Sequence, residues 1–132
     1  MWKAAGVLIS RNDDDKVLGF RRLDKGREGV ALPCGGIDDG ETPAEAACRE
    51  ALEETGYTVA LVGEPFFAFE ERDGSEVWVW RANIVDEGTA LTPDEGVPEW
   101  VDAAELLAGP YGDFNRKMLE HFGMMPAAVA AA

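Results

Sequence analysis

Residues 42–56 can be little other than an α-helix, and that helix carries an unusual load of acid. Thr42 stands at an N-cap position with Glu45 three residues on, the pattern of a capping box. Pro43 falls at the first helical position, where its missing N–H costs nothing. Strong helix formers follow through residues 44–55. Gly56 suits the left-handed residue that closes a helix. At 100° per residue, Ala44, Ala47, Cys48, Ala51 and Thr55 form a small, mostly apolar stripe. Glu50, Glu53 and Glu54 fill the adjoining arc of about 100°. Ala46 lies among them and is too small to obstruct access. The expected helix buries a thin face and holds three carboxylates beside it.

Carboxylates so crowded repel. At 4 Å and an effective dielectric of about 20, a like-charge pair costs roughly 4 kcal/mol before screening. A hard divalent cation with oxygen ligands, such as Mg²⁺, relieves that cost. A solvated acidic helix face is the plain alternative in an acidic chain. Spacing separates the two. Gly35, Glu41, Arg49, Glu50, Glu53, Glu54 and Gly56 match G-x5-E-x7-R-E-U-x-E-E-x-G-U. With residue frequencies of roughly 6%, seven agreements arise by chance about once in 10⁸ starting positions. That pattern is the signature of the Nudix hydrolases (MutT-like proteins), which the sequence resembles. Ala51 is smaller than the bulky residue the pattern asks for, and Tyr57 is aromatic rather than aliphatic. The resemblance is close across the motif and loose elsewhere.

The resemblance implies an α+β fold, a Nudix-type α/β/α sandwich with a mixed β-sheet. It implies Mg²⁺- or Mn²⁺-dependent hydrolysis of a nucleoside diphosphate linked to a further group X. Water attacks a phosphorus of the pyrophosphate bridge. By motif position, Glu50, Glu53 and Glu54 are metal ligands, and the Gly35 carbonyl is another. Glu50 or Glu54 takes the proton from water. Arg49 pairs with a neighbouring carboxylate and fixes its rotamer, and Glu41 acts similarly, as a loop-to-helix brace or an outer-shell ligand. The acidic loop before Trp100 resembles one that supplies a further ligand or base in these enzymes. Glu95 is the first choice there and Glu99 the second. Arg21, Arg22, Lys25 and Arg27 are candidate phosphate contacts. Phe114-Asn115 is similar to a purine-reading pair in some members, an ordinary helix-surface asparagine being the plainer alternative.

Within this class the short chain favours (deoxy)nucleoside triphosphates, oxidised ones included, giving a monophosphate and pyrophosphate. ADP-ribose, nucleotide sugars and dinucleotide polyphosphates are the alternatives. A catalytically inactive nucleotide sensor and an acidic interaction module are the alternatives from other classes.

Composition bounds the partners. The 132 residues suit one domain over 1–124, with 125–132 as a disordered tail. A net charge of −14 argues against a nucleic-acid polymer and against anionic membranes as partners. A small polyanionic nucleotide is compatible, because metal ions neutralise its site locally. A homodimer is left open. No basic segment precedes an apolar one at the start, and no apolar run reaches membrane-spanning length. Cys34 and Cys48 make neither a disulfide framework nor a zinc site, and free thiols fit the reducing cytoplasm. Cys48 falls on the helix stripe as a filler. Cys34 is either tolerated packing or a group that touches substrate.

The rest of the chain alternates strands and short helices. Residues 3–10 and 17–22 are expected to pair as a hairpin across the Asx-rich turn 11–16, with a short strand at 30–32 leading into the glycine loop. A strand over 57–62 follows the helix. Asp73-Gly74 centres a second hairpin between 66–71 and 76–85. Trp78 and Trp80 share one face of that arm and are expected in the core. A short strand at 100–101, a helical turn at 103–107 and a last helix over 111–122, with His121 near its end, complete the pattern.

Overall fold

The computed structural model describes residues 2–11, 15–92 and 94–126. Strand β1 (Lys3–Leu8) is apolar on both faces and buried along nearly all its length. Such a strand needs cover on both sides. It pairs antiparallel with β4 (Cys34–Gly36) and parallel with β6 (Ser75–Glu87). β6 in turn pairs antiparallel with β5 (Tyr57–Glu70). The order β4-β1-β6-β5 makes a mixed sheet. A second, antiparallel sheet has the order β3-β2-β7, from β2 (Lys16–Arg22), β3 (Gly29–Ala31) and β7 (Gly96–Asp102).

Helix α1 (Pro43–Thr55) covers one side of this framework. Ala5, Val7 and Ile9 pack there with Ala46, Ala47 and Ala51, and the half-buried Trp78 and Trp80 flank them. On the other side lie α2 (Ala103–Leu106) and α3 (Gly112–His121). They bring Leu106, Met118 and Leu119 onto Leu8, Val79 and Val101. Sheet residues of alternate parity therefore feed two cores. The result is an α+β fold, an α/β/α sandwich with a mixed sheet. Among the described residues, no helix is long and apolar enough to cross a membrane.

Several expectations change. Residues 3–10 and 17–22 do not form a hairpin. Ser10 and Val17 make one isolated bridge, and the strands then part into different sheets. Both edges of β1 are taken by β4 and β6, so none is left for β2. Residues 34–36, expected as loop, pair with Ala4, Ala5 and Gly6 as a short strand. The strands expected at 57–62 and 66–71 are one, with a register shift between Val62 and Phe66 and Gly63 at a φ of 68°. The Asp73-Gly74 turn forms, Asp73 accepting from the Ser75 N–H at 2.9 Å. His121 ends α3 with its ring 5.0 Å from Phe66 and 4.7 Å from Phe122. Met124 and Met125 pack against the second core, so the boundary expected at 124 falls within a packed segment. Residues 127–132 of the expected tail, and Asn12, Asp13 and Asp14 of the turn, lie outside the described residues.

Helix α1 begins and ends where its caps predict. The Thr42–Glu45 capping box is reciprocal, and Gly56 closes the helix at a φ of 80°. Its buried face keeps Ala47, Ala51 and Thr55 of the expected stripe but turns further toward the acids. Ala46 is core rather than an open position among acids, and Glu54 is only 3% exposed. Ala47, Ala51 and Glu54 lie within about 60° of one another around the axis. Glu54 therefore sits in the buried face instead of beside it.

Candidate active site

Arg49 organises the acidic end of α1. Its Nε donates to Glu41 at 2.7 Å, and its Nη2 to Glu41 at 3.0 Å and the Gly36 carbonyl at 2.7 Å. Its Nη1 donates to Glu50 at 2.8 Å and Glu53 at 3.1 Å. That makes as many hydrogen bonds as a guanidinium has N–H groups. Loop and helix are thus fastened at one point. Hydrogen bonds from Arg49, then the Asp38 N–H, hold the Glu41 carboxyl below the usual carboxylate range. Glu41 thus ties the loop at Asp38 to the helix at Arg49.

Glu54 lies deeper. Its Oε1 accepts the Cys34 N–H at 2.9 Å, and its Oε2 is 4.0 Å from Arg22 Nη1. Burial pushes its pKa up to about 8, against the Cys34 N–H and with the help of neighbouring Glu50. Glu50 is also raised, by burial first, with Arg49 opposing. A Cβ added at Gly35 would fall on the Glu50 carboxylate. Gly35 is therefore a cradle for that side chain. Gly35→Ala should displace Glu50 and lower kcat on the order of 10²-fold, the scale of a misplacement of about 1 Å. Steady-state kinetics beside a circular dichroism spectrum checks this. A wild-type rate in a folded variant would show that Glu50 tolerates displacement.

Glu95 reaches the same place from the far side. The Glu53 carbonyl, near the end of α1, accepts the N–H groups of Leu91 at 2.7 Å and Thr92 at 3.1 Å. The Thr92 hydroxyl joins them at 3.2 Å. The Glu95 carbonyl accepts the Leu23 N–H at 3.0 Å. These bonds seat the loop on α1 and β2. Orphan carbonyls at a helix end seek such donors, but sequence does not reveal which loop supplies them. Glu99 faces elsewhere, in an ion pair with Arg21.

Glu50, Glu54 and Glu95 line one cleft of about 520 Å³. Arg22 and Arg27 also line it, and Trp2, Tyr111 and Phe114 give it an apolar part. Arg21 does not. Neighbours on a strand point to opposite faces, so Arg21 turns away. It is engaged by Glu99 at 2.6 Å and Glu105 at 3.4 Å. Glu53 is held on Arg49 and does not line the cleft. Among the described residues, no three acidic, cysteine or histidine side chains close into a ready-made metal cage. The donor set nevertheless suits a hard divalent ion. Glu50 and Glu54 are oxygen donors that line one cleft, burial raises both, and the missing side chain at Gly35 gives the Glu50 carboxylate its place.

Asn115 is not a helix-surface residue. It is 1% exposed. Its Nδ2 donates to the Val30 carbonyl at 3.0 Å and the Leu106 carbonyl at 2.8 Å. Both amide hydrogens are spent, which assigns the amide's orientation. Its Oδ1 is buried without a donor among the described residues, and the residue lines the cleft. A signal existed in the sequence. Asn115, Met118, Leu119 and Phe122 recur at helical spacing on one stripe. Cys34 also lines the cleft, but burial, then Glu54 and Glu50, pushes its thiol up to about 12. That direction keeps the thiol protonated at neutral pH.

A mixed sheet between helices, with α1 turning Glu50 and Glu54 into one cleft, is the frame of this site. The chain belongs to the NUDIX domain family, whose model matches residues 2–122. It is 47% identical over 58 residues to an RNA pyrophosphohydrolase of Sphingopyxis alaskensis, covering 44% of this chain and 36% of that protein. It is 41% identical over 61 residues to a candidate 8-oxo-dGTP diphosphatase of Bacillus subtilis, covering 46% and 40%. The chain thus spans well under half the length of these curated relatives. A NUDIX hydrolase structure from Nitrosomonas europaea superposes with a TM-score of 0.70 at 18% identity, covering 97% of this chain and 94% of that one. At that identity the likeness concerns the fold.

Proposed function

We propose that this chain hydrolyses the pyrophosphate bridge of a nucleoside diphosphate linked to a further group, with Mg²⁺ or Mn²⁺ as cofactor. One observation carries the reading: Glu50, Glu54 and Glu95 meet Arg22 and Arg27 across a single cleft. Glu50, Glu54 and Glu95 would hold the ion, with the Gly35 carbonyl beside them. When bound, the ion supplies charge neutralisation and lowers the pKa of a water. The chain's own residues do the rest. Arg49 fixes the rotamers of Glu50 and Glu53. Arg22 and Arg27 face the phosphates, and Glu50, Glu54 or Glu95 takes the proton from the attacking water. Such catalysis is mostly positioning and electrostatics.

Nucleoside triphosphates, oxidised forms included, are the favoured substrates. The net charge of −14 supports a small nucleotide over an RNA chain, which needs a basic footprint. Asn115 lines the same cleft as Arg22 and Arg27 and is the residue proposed to lie nearest the base. The named relatives act on an RNA and, as a candidate, on 8-oxo-dGTP, so both enter the test. The purified chain is incubated with Mg²⁺ and a panel of nucleoside triphosphates, 8-oxo-dGTP, ADP-ribose, a dinucleoside polyphosphate and 5′-triphosphate RNA. Monophosphate and pyrophosphate should appear fastest from triphosphates. No metal-dependent turnover of any of them would sink the reading.

A further inference from the structure

Arg22 is shared unequally between two carboxylates. Asp24 takes it in a fork: Nε to Oδ1 at 3.0 Å and Nη2 to Oδ2 at 2.9 Å. Glu54 faces the remaining Nη1 at 4.0 Å, too far for a hydrogen bond. Glu54 Oε1 is already satisfied by the Cys34 N–H. Among the described residues, the oxygen left without a close donor is Oε2, the one that looks at Arg22. The Arg22 side chain is 11% exposed and that of Asp24 29%, and both line the cleft. Asp24 also draws Arg27, Nη1 to Oδ2 at 3.7 Å, but Arg27 is 64% exposed and pairs with no other carboxylate among the described residues.

We propose that Asp24 is a positioning residue that holds Arg22 off Glu54 and so keeps Glu54 Oε2 available to a divalent cation. The proposal rests on the metal-dependent reading above and names what regulates the affinity of that site. A guanidinium beside a buried carboxylate closes into an ion pair unless something else grips it, because bidentate pairing is the stronger arrangement. Asp24 supplies the grip through the two donors of Arg22 that point away from Glu54. Without Asp24, Arg22 swings onto Glu54 and competes with the ion for the same oxygen. The arginine stays in the cleft, where Nη1 can meet a phosphate once the ion is seated.

The test is direct titration of Mn²⁺ into the full chain by calorimetry, with no nucleotide present. Asp24→Ala should weaken Mn²⁺ binding by about tenfold or more, the scale of an outer-shell loss. Adding Arg22→Ala should restore affinity to within about threefold of wild type, since the two residues couple. Adding Arg27→Ala instead makes the same change in net charge, and should restore nothing. Asp24→Asn keeps the side chain's size and repeats the test should the alanine variant fold poorly. If wild type binds no Mn²⁺, the functional reading itself fails. If wild type binds and both Asp24 variants match it, this proposal alone is overturned. Equal recovery with Arg22→Ala and Arg27→Ala also overturns it, because general charge would then explain the loss.

Discussion

Glu54→Gln is expected to lower kcat by about 10²-fold or more, since it removes a metal oxygen or the base. The same substitution should make the metal-free protein more stable at alkaline pH. The sign follows from linkage. Glu54 titrates in the folded state at about 8, raised from 4.5 by burial first. Between those values the folded chain holds a proton that the unfolded chain has lost. Stability therefore falls as pH rises from about 4.5 to about 8, by something on the order of a few kcal/mol. Glutamine carries no such charge and removes Glu54's share of the slope, leaving that of Glu50, which burial also raises. Glu41 and Glu99, lowered by Arg49 and Arg21, act in the opposite sense but at lower pH. Their contribution is lost as pH falls below the ordinary carboxylate range, outside this window. Urea midpoints of the metal-free proteins at pH 5, 7 and 9 test the point. If wild type and variant show parallel pH profiles, Glu54 is not the buried acid described here. Millimolar Mg²⁺ should flatten the wild-type slope by giving the carboxylate its counter-charge, and should move the variant, which keeps Glu50 and Glu95, by less.

The helix that carries these acids was written plainly in the chain. Its caps depend on Thr42, Pro43, Glu45 and Gly56 alone, and local signals survive any tertiary context. The Asp73-Gly74 turn is local in the same way. What escaped was contact at long range. A stripe of alanines is a weak guide to which face turns inward, and the close approach that small residues allow took Glu54 into the core. Strand parity would have separated Arg21 from Arg22, because Arg22 shares a face with the buried Phe20. Asn115 could have been placed by its spacing from Met118 and Leu119. The parting of β1 and β2 into two sheets could not. It depends on β6 arriving from residues 75–87 to take the edge that a hairpin would use. Bringing Glu95 to Glu54 likewise needs the loop's bonds to the Glu53 carbonyl, which no local pattern announces.

Arg49→Lys should cost nearly as much stability as Arg49→Ala, and the reason is geometric. Arg49 spans Glu41, Glu50, Glu53 and the Gly36 carbonyl at once. An ammonium has three donors on a single nitrogen and cannot reach partners on both sides of the helix start. Breaking a buried pair costs about 3–5 kcal/mol. The Arg49 side chain is 26% exposed and Glu53 34%, so water recovers part of that. A loss of about 2–3 kcal/mol remains, equivalent to a fall of roughly 5–10 °C in Tm for a chain of this size. Differential scanning calorimetry at low ionic strength measures it. A Lys variant that melts with wild type would mean that a point charge suffices there, and that the five-bond geometry is incidental. The two variants should also answer to metal differently from wild type. With Arg49 gone, Glu50 and Glu53 lose their only close cation among the described residues. Added Mg²⁺ should then raise Tm by more in Arg49→Ala than in wild type, while kcat stays depressed by about tenfold or more because the carboxylates are no longer held in one rotamer. Stability returning without activity would locate the value of this arginine in orientation rather than in charge.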